Sequence, residues 1–340
     1  MSHTEGGSGG PDAVGRNKGR GESRAPSLAG TAGEALGLAG RMFSKEPGET
    51  DYLAALDTMA TRPSDLTMTP RLTYLGGPTY LIEIGKFRII SDPGFDPQGT
   101  ERYEGPGHLL TKIMAPPIPV EGIGRIDLAL VSHAQHLDNL DNEGRRLLGR
   151  AGTTITTPES ASMNLPGKAV RALKTWERTE VVNAAGERLQ VTAMPAVHTS
   201  NPALRGAVGE VTGFMLEWEG QRDGALYISG DTVWTDEILE IGRRYKVGAA
   251  ILHMGAANVP AVGDNFLTMN AADGVRVAAT LGLRSVFPAH FEGWRHFTQG
   301  SWYIVREFEK ANMSQVLNLL KPGEARNVGA AVPEPAEIRA

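Results

Sequence analysis

Short apolar runs, separated by glycine, proline and charged residues, dominate this chain from about residue 70 onward. Residues 71–75, 79–84 and 86–91 read as three successive strands, punctuated by Gly76, Gly77 and Pro78 and then by Gly85. Ser91, Asp92, Pro93 and Gly94 read as a turn. Residues 101–123 are rich in proline and glycine and read as a long irregular loop, a length that often carries function. Beyond it, strands are predicted at 126–131, 153–157, 169–173, 187–197, 211–218, 225–229, 249–253 and 285–288. Helices are predicted at 140–149, 235–245, 270–281 and 302–311. A strand meander followed by strand–helix alternation predicts sheets covered by helices. No short repeat runs through the chain.

The ends of four apolar runs move the reading from fold to chemistry. In IDLALVSHAQHLDNLD, residues 126–141, the apolar run stops at Ser132, and His133, His136, Asp138, Asn139 and Asp141 follow at once. MPAVHTS ends an apolar run at His198, ALYISGDT ends one at Asp231, and SVFPAHFEGW ends one at His290. A single histidine at a strand end is more often a hydrogen-bonded structural residue. Four runs that each deliver a ligand-type side chain point instead to a metal centre.

Composition narrows the kind of centre. The chain has no cysteine, which removes thiolate ligands, thiol nucleophiles, disulfides and iron–sulfur clusters, and leaves His, Asp, Glu and carbonyl oxygen. Such donors suit Zn2+, with Mn2+ or Fe2+ as alternatives. A net charge of −5 argues against a general nucleic-acid binder. An apolar fraction of 41% in 340 residues is enough for a sizeable core. No apolar run is long enough to span a bilayer, and the N-terminus lacks the apolar stretch of a secretory signal. These features fit a cytoplasmic protein; homo-oligomerisation is left open. Residues 1–50, rich in Gly, Ser, Ala, Glu and Arg, read as a disordered or weakly structured tail. Residues 51–69 read as a short lead-in helix and linker, 70–325 as the folded domain, and 326–340 as a C-terminal tail.

A divalent ion with an open coordination position brings the pKa of bound water toward about 7, giving hydroxide at neutral pH. His133 and His136 lie three apart, so a tight turn lets both imidazoles face one ion, and His198 can complete a three-nitrogen site. Asp231 can bridge two ions or supply a remaining ligand, while Asp138 and His290 suit a second ion. In a paired site one carboxylate can also hold the attacking water and shuttle protons.

Together these segments resemble the metallo-β-lactamase-fold hydrolase superfamily. Within it they are most similar to the branch of ascorbate-phosphate lactonase-like and N-acyl-phosphatidylethanolamine phospholipase D-like enzymes. RLTYLGGPTYLIEIGKFRIISDPGF resembles the branch's opening strands and its Asp-Pro turn, here Asp92 and Pro93. SHAQHLDNLD resembles the His-x-His-x-Asp-His signature, LYISGDT supplies the bridging aspartate, and FPAHFEGW supplies the last histidine. The resemblance covers about residues 70–323. It implies an α/β (α+β) fold, a four-layer αββα sandwich of the metallo-β-lactamase type, with the metal site at one edge where strand ends converge. It also implies His133, His136 and His198 on a first ion, Asp138 and His290 on a second, and Asp231 as the bridge. Two departures stand out. Two residues, Ala134 and Gln135, separate the first two histidines instead of one, and Asn139 stands where the usual final histidine belongs. An amide oxygen is a weak neutral ligand, so one tight ion is expected, with a second weaker or absent.

Other residues weigh less. His253, after an apolar run, reads equally as a pocket residue and as a hydrogen-bonded strand-end histidine. His296 follows His290 closely and is a candidate substrate-binding residue or general acid. Trp294 reads equally as packing or stacking, His108 as a lid or a surface residue, and Tyr80 as core. Ser132 and Thr232 are placed to orient ligands. No Gly-x-Ser-x-Gly elbow and no phosphate-cradling loop is present. The expected activity is metal-dependent hydrolysis of an ester-like bond, a lactone or a phosphodiester, in a small-molecule or lipid-like substrate. In that reaction metal-bound hydroxide attacks and Asp138 orients the water. A lipid-like substrate would call for an apolar approach surface, to which residues 113–118 could contribute. The rival reading is a non-catalytic metal-binding sensor or scaffold with a degenerate second site.

Overall fold

The computed structural model describes residues 68–329. The tail expected at 1–50, all but the last two residues of the lead-in helix and linker expected at 51–69, and the chain after residue 329 lie outside the described residues. The domain opens as the predicted meander, β1 (Arg71–Tyr74), β2 (Tyr80–Ile84) and β3 (Phe87–Ser91). A hairpin follows, β4 (Glu101–Gly105) and β5 (His108–Thr111), and then β6 (Leu128–Leu130), α1 (Asn142–Leu148), β7 (Thr153–Thr156), α2 (Pro158–Ser162) and β8 (Val170–Ala172). The second half holds β9 (Arg178–Val182), β10 (Arg188–Met194), α3 (Arg205–Val208), β11 (Gly213–Trp218) and β12 (Ala225–Ile228). It ends with α4 (Glu237–Arg244), β13 (Val247–His253), α5 (Ala271–Leu281), β14 (Ser285–Ala289), α6 (Ser301–Lys310) and β15 (Ala325–Asn327).

These strands form a seven-stranded sheet ordered β15-β1-β2-β3-β6-β7-β8 and a six-stranded sheet ordered β14-β13-β12-β11-β10-β9. Their inner faces share one apolar core, to which Leu72, Ile82 and Leu130 contribute from the first sheet and Val191, Phe214 and Ile251 from the second. Tyr80 ties the two together. Its ring meets Phe287 edge-on with centroids 6.5 Å apart, and its hydroxyl donates to the Pro288 carbonyl at 2.8 Å. Proline is tolerated there because β14 is an edge strand. The helices lie outside the two sheets, and the whole is a four-layer αββα sandwich of the metallo-β-lactamase type.

Strand direction explains why the polar ends meet. β3, β6, β7 and β8 run parallel, as do β12, β13 and β14. Parallel neighbours need crossovers. In the first sheet the segment with the β4–β5 hairpin joins β3 to β6, α1 joins β6 to β7 and α2 joins β7 to β8; α4 and α5 make the crossovers in the second. β13 is buried at every position, VGAAILH, as a parallel strand covered on both faces must be. β10 is antiparallel to β11, and β11 to β12, so β10 points the same way as β12. The segments that leave the C-terminal ends of β6, β10, β12, β13 and β14 carry His133, His198, Asp231, His253 and His290. Ligand sites in such sheets form beyond the carboxyl ends of the strands.

Three expectations need correction. Residues 101–123 are not irregular throughout: they hold the β4–β5 hairpin and a 3-10 turn at Val120–Ile123. β4 is largely exposed and reads ERYEG, so no buried alternation marked it. β9, RTEVV, is an edge strand whose Arg178 is exposed, and it too escaped the pattern. The paired edge also runs past Gly323, because β15 pairs with β1, Arg71 opposite Asn327. Local chemistry sets the helix ends. Asp141 caps α1 by accepting from the Gly144 amide at 2.8 Å, and Asn270 caps α5 by accepting from the Asp273 amide at 2.8 Å. Gly282, at φ 62°, closes α5 in the left-handed conformation.

Candidate metal centre

The turn after β6 builds the first half of the site. The Asp92 carboxylate accepts from the Ser132 amide at 2.7 Å, which fixes where the strand stops. The His136 carbonyl accepts from the amides of Asn139 and Leu140, and Arg145 donates to the Ala134 carbonyl at 2.8 Å. This tightened turn brings His133 Nε2 to 3.0 Å from His136 Nδ1. His198, from the loop after β10, places its Nε2 3.0 Å from the same atom. Its Nδ1 lies 2.7 Å from the Leu267 carbonyl, an acceptor only, so Nδ1 carries a proton toward it, the arrangement in which Nε2 is the nitrogen turned to a ligand position. On the far side of His133, Nδ1 lies 3.0 Å from Ser132 Oγ. Burial, reinforced by the neighbouring imidazoles, lowers the His133 pKa well below the ordinary histidine value and brings that of His136 to about 3. Neutral imidazoles that converge in a buried place are what a divalent ion requires.

The second half joins carboxylates to imidazoles. Asp231 Oδ1 lies 2.7 Å from His253 Nδ1, and its Oδ2 lies 3.4 Å from His290 Nε2. Asp138 Oδ2 is 3.1 Å from His290 Nε2 and 3.0 Å from His296 Nε2. Burial alone would raise the pKa of Asp138 and Asp231. Histidine neighbours outweigh it, and both carboxyls titrate below their ordinary range. His290 shows the converse: burial would lower its pKa, but Asp231 and Asp138 raise it. Two non-glycine residues here sit in the left-handed region, Asp92 at φ 35° and His290 at φ 58°. Strain of this kind collects at functional sites. Gly255 accommodates the bend: a Cβ there would lie 2.0 Å from the His290 carbonyl oxygen.

The structure therefore gathers His133, His136 and His198 into one buried group and Asp231 and His290 into a second, with Asp138 beside them. Asn139 Oδ1 lies 3.3 Å from His290 Nε2, and its Nδ2 donates to Asp231 Oδ1 at 3.3 Å and to Ser132 Oγ at 3.4 Å. His296 meets Asp138 through Nε2, its ring stands edge-on to His290 with centroids 6.4 Å apart, and it lines the same cavity. Thr232 does not touch a ligand; its hydroxyl accepts from the Val197 amide and so braces the segment that carries His198. Trp294 is buried packing with Lys112 over its ring. His108, on the β4–β5 hairpin, stands 6.0 Å ring to ring from His136 and pairs with Glu104 at 3.1 Å. A cavity opens between these groups, walled on its apolar side by Leu110, Val259 and Leu267. Sequence reasoning placed two residues of this region in neither ligand group. His253 groups with Asp231 and His290, and Asp92 lies behind it. The signal for His253 was present, an apolar run ending in a histidine, as at His290.

The sequence pattern of the beta-lactamase superfamily domain matches residues 87–291, from β3 through His290, and the chain belongs to that family. A protein named UPF0173 metal-dependent hydrolase from Methanoregula boonei is 24% identical over 269 residues, which cover 76% of this chain and 97% of that protein. Among solved structures, isothiocyanate hydrolase from Delia radicum gut bacteria shares the fold with a TM-score of 0.62 at 21% identity, over 75% of this chain and 98% of that one. A metallo hydrolase from the archaeon Ignicoccus hospitalis does so with a TM-score of 0.57 at 20% identity, over 76% and 98%. Among the described residues, no helix is long and apolar enough to cross a membrane.

Proposed function

We propose that this chain is a metal-dependent hydrolase that cleaves an ester-like bond, a lactone or a phosphodiester, in a small-molecule or lipid-like substrate. The observation that carries the reading is the meeting of three buried imidazoles with a carboxylate–imidazole group at one end of two sheets. His133, His136 and His198 would hold the tighter ion, and a nitrogen-only set of this kind suits zinc. A divalent ion bound there supplies Lewis acidity and brings the pKa of a coordinated water toward about 7. Asp138 orients the attacking water and takes up its proton, since its carboxylate stays ionised and faces the site. His296, 3.0 Å from Asp138 Oδ2, returns a proton to the leaving group. Leu110, Val259 and Leu267 present an apolar wall to the substrate. The resemblance to lactonase-like and phospholipase D-like enzymes sets the two bond types to be tried.

The metal-loaded protein is assayed against panels of lactones and phosphodiesters. Turnover of one panel that disappears on chelation and returns with zinc is expected. A fully loaded protein inert toward both panels would instead favour the second reading, a non-catalytic metal-binding protein, whose support is Asn139 in a ligand position.

A further inference from the structure

The second half of the centre raises a question of its own: which nitrogen replaces the one that Asn139 does not provide? The Asn139 amide is already engaged. Its Nδ2 donates to Asp231 Oδ1 and Ser132 Oγ, and its Oδ1 faces His290 Nε2. His253 is better placed. It ends β13, between the strands that deliver Asp231 and His290, and its side chain is 0% exposed. Its ring stacks on His290, with centroids 5.2 Å apart and planes 9° from parallel. The two rings face the two oxygens of one carboxylate, His253 Nδ1 at 2.7 Å from Asp231 Oδ1 and His290 Nε2 at 3.4 Å from Asp231 Oδ2. The ligand atoms of all three residues lie within 4.8 Å of one another.

The far side of the His253 ring supports this. Its Nε2 is buried and has no hydrogen-bond partner among the described residues, and the same is true of Asp92 Oδ2. The two atoms face each other at 3.8 Å, beyond hydrogen-bond reach. Leaving both unsatisfied is costly. A metal-bound imidazole ordinarily donates its other N–H to a carboxylate or carbonyl. His198 already has such a partner in Leu267 O, and Asp92 is the corresponding carboxylate for His253.

We propose that His253 is a ligand of a second ion, together with Asp231, His290 and Asp138, in place of the imidazole absent at position 139, and that Asp92 is the positioning residue behind it. This rests on the metal-centre reading given above but not on hydrolysis. It makes the second site a shifted one rather than a degenerate one.

The test counts ions in the full chain loaded with zinc or cobalt and then dialysed against a weak chelator. The unaltered protein is expected to keep about two ions per chain. His253→Ala and His253→Asn should each keep one, while Asn139→Ala keeps two. His253→Asn matters because its amide can still donate to Asp231. If it restores the second ion, His253 only orients Asp231 and the proposal is overturned. Two ions in His253→Ala, or one ion in the unaltered protein and both variants alike, overturns it equally. In the cobalt form, paramagnetically shifted N–H resonances of ligand imidazoles should number five in the unaltered protein, from His133, His136, His198, His253 and His290, and three in His253→Asn, where loss of the second ion also releases His290. Asp92→Asn should weaken the second ion by about ten- to a hundredfold without touching the first. A protein that loads and loses ions in this pattern but cleaves neither panel sinks the hydrolase reading and leaves this one standing.

Discussion

The two halves of the metal centre lie side by side but are built differently. His133 and His136 come from one turn, and His198 joins them from a loop; all three donors are nitrogen. Asp231, His253 and His290 come from three adjacent parallel strands, and a carboxylate sits among them. The first half therefore depends on turn geometry, held by the amide of Ser132 and the carbonyls of Ala134 and His136. The second depends on sheet register, with Ile228 opposite Ile251 and Ile251 opposite Phe287. Their charge differs too. Neutral imidazoles leave an ion's charge uncompensated, which favours acidifying a water, whereas a carboxylate offsets part of that charge.

The largest effect should follow from breaking the first half. His133→Ala or His198→Ala is expected to remove the ion of the first half and at least about a hundredfold of activity, because a direct ligand is lost. Metal analysis beside an activity assay checks this, and full metal content with full activity in both variants would refute the assignment. Next comes the proton path. His296→Ala should lower turnover by about a hundredfold while metal content stays as it was, since His296 lines the cavity beside Asp138 but belongs to neither ligand group. Loss of metal in that variant would move His296 among the ligands.

The same contrast governs how much could be read from the sequence. The signature turn was legible because its polar groups are contiguous and end an apolar run. Asp231 and His290 were legible because their strands are short, apolar and bounded by glycine or proline. His253 obeyed the same grammar, yet a lone strand-end histidine fits a structural role equally well, and its place on β13 between β12 and β14 is not written in its own segment. Asp92 was visible as part of a turn but not as a partner 3.8 Å from His253, since that proximity joins residues on different sheets. The edge strand β9 and the β4–β5 hairpin carry exposed charges and so lacked the alternation that revealed the core strands.

A third variant tests how the turn is supported from outside. Gly144 lies in the first turn of α1, and a Cβ there would come within 1.8 Å of the Pro93 carbonyl oxygen, next to Asp92. Gly144→Ala should cost about 1–3 kcal/mol by overpacking. Denaturant unfolding of the metal-free protein measures it. A stability unchanged from the parent would mean that the Asp92–Pro93 turn yields freely.

The smallest effect expected is at the bridge between the sheets. Tyr80→Phe keeps the ring against Phe287 and removes only the hydroxyl that donates to the Pro288 carbonyl. One buried hydrogen bond contributes about 1 kcal/mol net, so a loss near that size is predicted in thermal or denaturant unfolding. Pro288 stands two residues before His290, so the bond also holds the end of β14 from which the second half of the centre hangs. If sheet register alone positions His290, metal content should be unchanged, because the pairing of β14 with β13 is untouched. Selective loss of the second ion in Tyr80→Phe would show instead that the carboxylate–imidazole half depends on contact between the two sheets. The first half, held by its own turn, should keep its ion in either case.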